Sequence, residues 1–146
     1  MLKMLDPILG PQLLAALREM GHGDELAIVD ANFPAVSLAR RLIRGDGAEA
    51  PRMLDAICTV LPLDSYVECA VHTMAVVGNA ESVPEVVARF AEVVAARAPE
   101  YRGGMGSLER GKFYERAAQA FAIVITGERR LYGNILLTKG VVSPPG

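Results

Sequence analysis

The chain alternates between two hydrophobic rhythms. Leu13, Leu14 and Leu17 recur three and four apart, one face of an amphipathic helix that opens at Gly10-Pro11 with proline at its first helical position. Gly21 stands where a left-handed cap closes such a helix. From Glu25 to Asp30 the rhythm changes. Leu26, Ala27, Ile28 and Val29 are consecutive, with glycine before them and Asn32 and Pro34 after, and they predict a strand buried on both faces. Between Pro34 and Gly45 the signal is mixed and stays open, with Leu42-Ile43-Arg44 the one strand-like run ahead of the Gly45-Asp46-Gly47 turn.

Pro51 starts a second helix, carried by Met53, Leu54, Ile57 and Leu61 and stopped by Pro62. Tyr66 to Val77 is a β-rich stretch interrupted by His72, after which Gly78-Asn79 turns the chain. Pro84 to Ala98 is the clearest amphipathic helix, with Val86, Val87, Phe90, Val93 and Val94 on one face. Pro99 to Gly111, rich in glycine and charge, reads as a mobile loop. A further helix follows over Lys112 to Ala120. Phe121 to Ile125 is a second fully apolar strand, Thr126-Gly127-Glu128 a turn, and Asn134 to Leu137 a last strand closing at Gly140. Helices alternating with continuously apolar strands predict an α/β fold whose mostly parallel sheet is covered on both faces. Ligands of such sheets bind beyond the strand ends.

Length makes this one domain, 1–146, large enough to fold without staples. Cys58 and Cys69 fall outside any CxxC pattern and read as reduced core thiols. Residues 1–34 lack a basic segment followed by an uninterrupted apolar core, so a cytoplasmic, non-exported protein is expected, with no membrane span. Fifteen basic against 17 acidic residues, net charge −2, leave no electrostatic footprint for nucleic acid. Hydrophobic residues make up 51% of the chain. With the 14 glycines counted and the four tyrosines set aside, the share exceeds the usual ~45–50%. A chain of this size hides only so much in its own core, which predicts buried subunit interfaces and an oligomer.

The chemistry-bearing residues are few. His22 lies between two glycines, and its imidazole is the one side chain that titrates unperturbed near neutrality. It reads either as a helix-end residue or as an acid or base. Asp30, at a strand end, reads either as an Asx-turn or as a ligand contact. His72, inside an apolar stretch, reads as structural. No metal-ligand spacing, phosphate loop or serine elbow is present, so no metal and no cofactor are expected. Arg110 and Tyr132-Gly133-Asn134 add a guanidinium, a phenol and an amide of the kind that bind sugars.

Met20-Gly21-His22-Gly23-Asp24-Glu25, Asp30-Ala31-Asn32-Phe33-Pro34, Ile43-Arg44, Leu61-Pro62-Leu63-Asp64-Ser65-Tyr66-Val67-Glu68, Phe113-Tyr114-Glu115-Arg116-Ala117, Thr126-Gly127-Glu128 and Tyr132-Gly133-Asn134 run in order along nearly the whole chain. In these blocks it resembles the ribose pyranase and fucose mutarotase family. That resemblance implies a three-layer α/β/α Rossmann-like domain, pentameric rings that pair as a decamer, and a monosaccharide site near subunit boundaries. It implies His22 as general acid, with Asp30, Arg110, Tyr132, Gly133 and Asn134 holding sugar hydroxyls and Asp30 orienting a hydroxyl or the imidazole. Arg110 and Gly133, where ribose members carry histidine and alanine, point to the fucose-acting branch. The alternatives are a ribose pyranase and a non-catalytic sugar-binding protein. Gly111, followed by Lys112, departs from the branch, which places an aromatic after the arginine, and either a wider pocket or a looser Arg110 loop is expected there.

Overall fold

The computed structural model describes all 146 residues. Helix α1 (Pro11–Glu19) leads into β1 (Glu25–Val29), followed by α2 (Ala35–Leu38), β2 (Leu42–Gly45), α3 (Ala50–Cys58) and β3 (Val71–Met74). Then come α4 (Glu85–Arg97), β4 (Gly106–Leu108), α5 (Arg110–Gln119), β5 (Ala122–Thr126) and β6 (Ile135–Thr138). The strands form one six-stranded sheet in the order β2-β5-β1-β6-β3-β4. All run the same way except β6, which is antiparallel to both β1 and β3. The fold is α/β, as expected, with a mostly parallel sheet between two helical layers.

The consecutive apolar runs follow from this layering. Side chains alternate across a strand, so Leu26 and Ile28 enter one core with Leu17, Leu54, Ile57 and Phe90, beneath α1, α3 and α4. Ala27 and Val29 enter the other, with Phe33, Phe113 and Ala117, under α2 and α5. Phe90 and Phe113, one in each layer, are fully buried. Truncating either to alanine costs about 3–5 kcal/mol.

The reversed strand shapes both ends of the sheet. β5 and β6 flank β1 on opposite sides, so residues 127–134 must cross the carboxyl end of β1. The Ala31 amide donates to the Glu128 carbonyl, 2.9 Å, and fastens that crossing. At the opposite end, the chain after β6 lies between the approach to β1 and the approach to β3. Gly23 donates to the Lys139 carbonyl, Lys139 to that of Asp24, and Gly140 to that of Pro62, each at 2.9 Å.

Several expectations change in detail. Gly21 does not cap α1. The helix ends at Glu19 with extended Met20 as its cap, and the Lys139 ammonium donates to the Leu17 and Met20 carbonyls at 2.7 and 2.5 Å. A cation on those carbonyls also suits the helix dipole. The left-handed residue is Gly23, φ +89°. Helix α3 stops at Cys58, before Leu61. The β-rich stretch narrows to Val71–Met74, and the open segment holds α2 and β2. The expected mobile loop contains β4, paired with β3, and the Tyr101 hydroxyl, donating to the Gly104 carbonyl and accepting from the Ala70 amide, closes the rest.

Both cysteines are free. Cys58 is buried, which pushes its thiol up to about 12, whereas Cys69 is only half-buried. His72 lies on β3 opposite Gly106 of β4. A Cβ at 106 would sit 2.7 Å from the imidazole, so only glycine fits there. Burial first, then the charge of Arg116, lowers the His72 pKa, and its buried Nδ1 has no partner. A neutral packing histidine meets those conditions.

Candidate active site

At the carboxyl end of the sheet a cavity of about 280 Å³ is lined by Asp30, Phe33, Met74, Arg110, Tyr132 and Asn134, among others. Asp30 stands where β1 ends. Its Oδ1 accepts from the Asn32 amide at 2.9 Å, and its carbonyl accepts from the Phe33 amide. Asp30 therefore makes the Asx-turn and also lines the cavity. The side chain is buried, and desolvation raises its pKa above the ordinary carboxylate value. Bonds to Asn32, Asn134 and Phe33 oppose that rise, and the Glu128 charge adds to it. A carboxylate strained in this way is a strong acceptor for a hydroxyl that enters dry.

The crossing segment supplies the next polar groups. The Asp30 amide donates to Asn134 Oδ1 at 2.9 Å. Since a backbone N–H demands an acceptor, this fixes the amide orientation and leaves Nδ2 to the Asp30 carboxylate, whose pKa the Asn134 side chain lowers. Tyr132 has φ +66°, a left-handed angle costly for an aromatic residue. Its hydroxyl oxygen accepts from the Val77 amide at 3.1 Å, which leaves the hydroxyl proton free to be donated. Gly133 is needed for space, since a Cβ there would lie 2.6 Å from Glu128 Cγ.

Arg110 is the first residue of α5, and its guanidinium lies 4.8 Å from the Tyr114 ring centroid. It makes no ion pair within the chain. A cation at a helix N-terminus opposes the dipole, so the position serves the cavity better than the helix. Gly111 does not line the cavity. Tyr114, one turn on from Arg110 and on the same helix face, is the aromatic residue beside the guanidinium. Glu109 caps the helix by accepting from the Lys112 amide at 3.0 Å.

His22 is elsewhere. It precedes β1, whereas Asp30 follows it, and five strand residues at about 3.3 Å each separate the two by roughly 17 Å or more. Asp30 therefore does not orient the imidazole of its own chain. That contact belongs to Asp64, whose Oδ1 lies 2.9 Å from His22 Nε2 and also accepts from the Tyr66 amide. Asp64 is buried, while the imidazole is 45% exposed and meets the Tyr66 ring edge-on at 5.2 Å. Burial raises the Asp64 pKa, but the bonds from Tyr66 and His22 outweigh it and leave the pKa lowered. An ionised Asp64 accepts Nε2–H and presents Nδ1 outward, as base when neutral and as acid when protonated. Sequence reasoning passed over Asp64. Its only signal was the Leu63-Asp64-Ser65-Tyr66 block, which gave no spacing to His22.

This geometry is that of an α/β ligand-binding domain, with its polar cluster beyond the carboxyl ends of a mostly parallel sheet. Residues 3–142 match the model of the RbsD / FucU transport protein family, and the chain belongs to that family. The fucose mutarotase of Streptococcus pneumoniae, solved in complex with L-fucose, is 42% identical, with a TM-score of 0.90 over 97% of this chain and 100% of that one. FucU from Bifidobacterium longum is 38% identical, with a TM-score of 0.89 over 95% and 99%. No helix is long and apolar enough to cross a membrane.

Proposed function

We propose that the protein is a mutarotase that interconverts the α and β anomers of free L-fucose. The carrying observation is the cavity itself. Asp30, Arg110, Tyr132 and Asn134 converge on it beside the apolar Phe33 and Met74, and the Arg110 guanidinium and the Tyr132 hydroxyl proton are left to donate. An apolar wall facing a polar one suits a sugar that bears a methyl in place of a hydroxymethyl group. The similarity to a fucose mutarotase supports the same reading.

Anomers exchange by ring opening. A proton is delivered to the ring oxygen, the bond from that oxygen to the anomeric carbon breaks, and the anomeric hydroxyl gives its proton to water as the aldehyde forms. Rotation of the aldehyde and reclosure give the other anomer. Positioned proton transfer contributes about 10²- to 10⁴-fold, and His22 Nδ1, with Asp64 behind it, is the donor. Since His22 and the cavity occupy opposite ends of one sheet, His22 acts in the cavity of a neighbouring copy. Exposed apolar side chains surround both ends, Tyr66 and Val67 near His22, Val77 and Leu131 at the cavity rim. A head-to-tail contact between unlike ends builds a closed ring when the rotation closes, in keeping with a homodecamer of two pentameric rings.

Saturation-transfer NMR over L-fucose, D-ribose and related sugars is the test. Exchange of L-fucose anomers faster than any other sugar is expected. A preference for D-ribose, or binding without faster exchange, would overturn the assignment.

A further inference from the structure

Glu128 is fully buried yet has no part in the reaction. Its Oε1 accepts from the Arg130 amide and Nε, both at 2.9 Å, and its Oε2 from Arg130 Nη2 at 3.0 Å and the Ala50 amide at 3.2 Å. Arg130 also faces Glu85 and Glu49 on its outer side, at 3.5 and 3.7 Å. The Glu128 carbonyl meanwhile holds the Ala31 amide beside Asp30. The two residues thus tie the crossing segment to the start of α3 and to the end of β1.

Two features show what this tie holds. Tyr132 keeps φ +66° without being glycine, a conformation that persists only where neighbours enforce it. At position 133 a Cβ would lie 2.6 Å from Glu128 Cγ, 3.3 Å from the Arg130 carbonyl and 3.5 Å from Asp30 Cβ. The turn is therefore pressed between the tie on one side and the cavity carboxylate on the other. We propose that Glu128 and Arg130 are positioning residues that clamp the Tyr132-Gly133-Asn134 turn against Asp30 and thereby set affinity for the sugar. The inference rests on the reading of that turn as sugar-binding.

Glu128→Gln keeps the shape and removes the charge. Arg130→Met keeps the stem and removes the fork, at a half-buried position where folding is easier to retain. Both are compared with wild type by amide hydrogen exchange and by NMR anomer exchange with L-fucose. The clamp predicts that exchange of the Ala31 and Asn134 amides rises by about tenfold or more while the β1 and β5 amides hold. It also predicts that KM for L-fucose rises roughly tenfold with kcat within about twofold. Unchanged turn amides in the folded variants would overturn the clamp. A loosened turn with unchanged KM would overturn its role in affinity and leave only a structural tie. Failure of the wild type to exchange L-fucose anomers would defeat the proposed function alone, since the amide measurement judges the clamp without any sugar.

Discussion

The two ends of β1 are chemically opposite. At the carboxyl end Asp30 is buried with more desolvation than its bonds offset, and its pKa is raised. At the amino end Asp64 is also closed to solvent, but it is less deeply set, and bonds from Tyr66 and His22 outweigh desolvation and lower its pKa. The bonds to Asp30 leave part of its desolvation uncovered, and those to Asp64 do not. In the proposed function the carboxyl end is the receptor for sugar hydroxyls. The amino end is a finished acid-base unit whose exposed imidazole has no receptor of its own. With the proposed function, the contrast puts the working site between copies of the chain.

The largest test of that contrast is His22→Ala. Anomer exchange should fall about 10²- to 10⁴-fold while L-fucose binding, followed by calorimetry, stays near wild type, because the cavity's own lining holds the sugar and the neighbour's His22 transfers the proton. Loss of binding in a folded variant would erase the distinction between the ends. Arg110→Ala should do the converse. It removes charge-assisted hydrogen bonds worth about 1.5–3 kcal/mol and weakens the sugar by roughly 10- to 100-fold, while the melting temperature holds or rises slightly as the dipole conflict is relieved.

The smallest effects lie in the pH dependence of stability, and their signs differ between the ends. Asp64, with its folded pKa below the unfolded value, stabilises above the ordinary carboxylate range, and that contribution is lost as pH falls through the folded value. Asp30, with its folded pKa raised, stabilises only below the unfolded value and loses that contribution as pH rises through the folded one. Thermal melts across pH 3–8 should show Asp64→Asn destabilised at neutrality by about 1–3 kcal/mol. Asp30→Asn should be as stable as wild type there or more so. Equal losses in both variants would mean that the two carboxylates are not opposed.

Much of this was legible in the sequence. Leu26 to Val29 and Phe121 to Ile125 lacked polar alternation because both faces of their strands are covered, so the layered sheet followed from pattern alone. Asp30, Arg110, Tyr132 and Asn134 line one cavity, while Gly133 does not line it and is packed against Glu128. The direction of β6 was not legible, because Ile135 to Leu137 reads the same in either orientation, and that direction sends residues 127–134 across Asp30. The partner of His22 was hidden for a related reason. Asp64 reaches it only because both flank the chain just after β6, a juxtaposition with no local signal. Glu128 read as a turn residue since nothing in Thr126-Gly127-Glu128 reveals a fully buried carboxylate.

The central claim is that each working site joins His22 of one copy to the cavity of the next. His22→Ala and Arg110→Ala chains, each nearly inactive below the wild-type KM, can be co-expressed in equal amounts and the mixed assemblies assayed for L-fucose anomer exchange. Sites built between neighbours should regain about a quarter of wild-type activity, since one junction in four pairs an intact His22 with an intact cavity. Mixed assemblies that recover no activity would contradict the account and place the whole site within one chain.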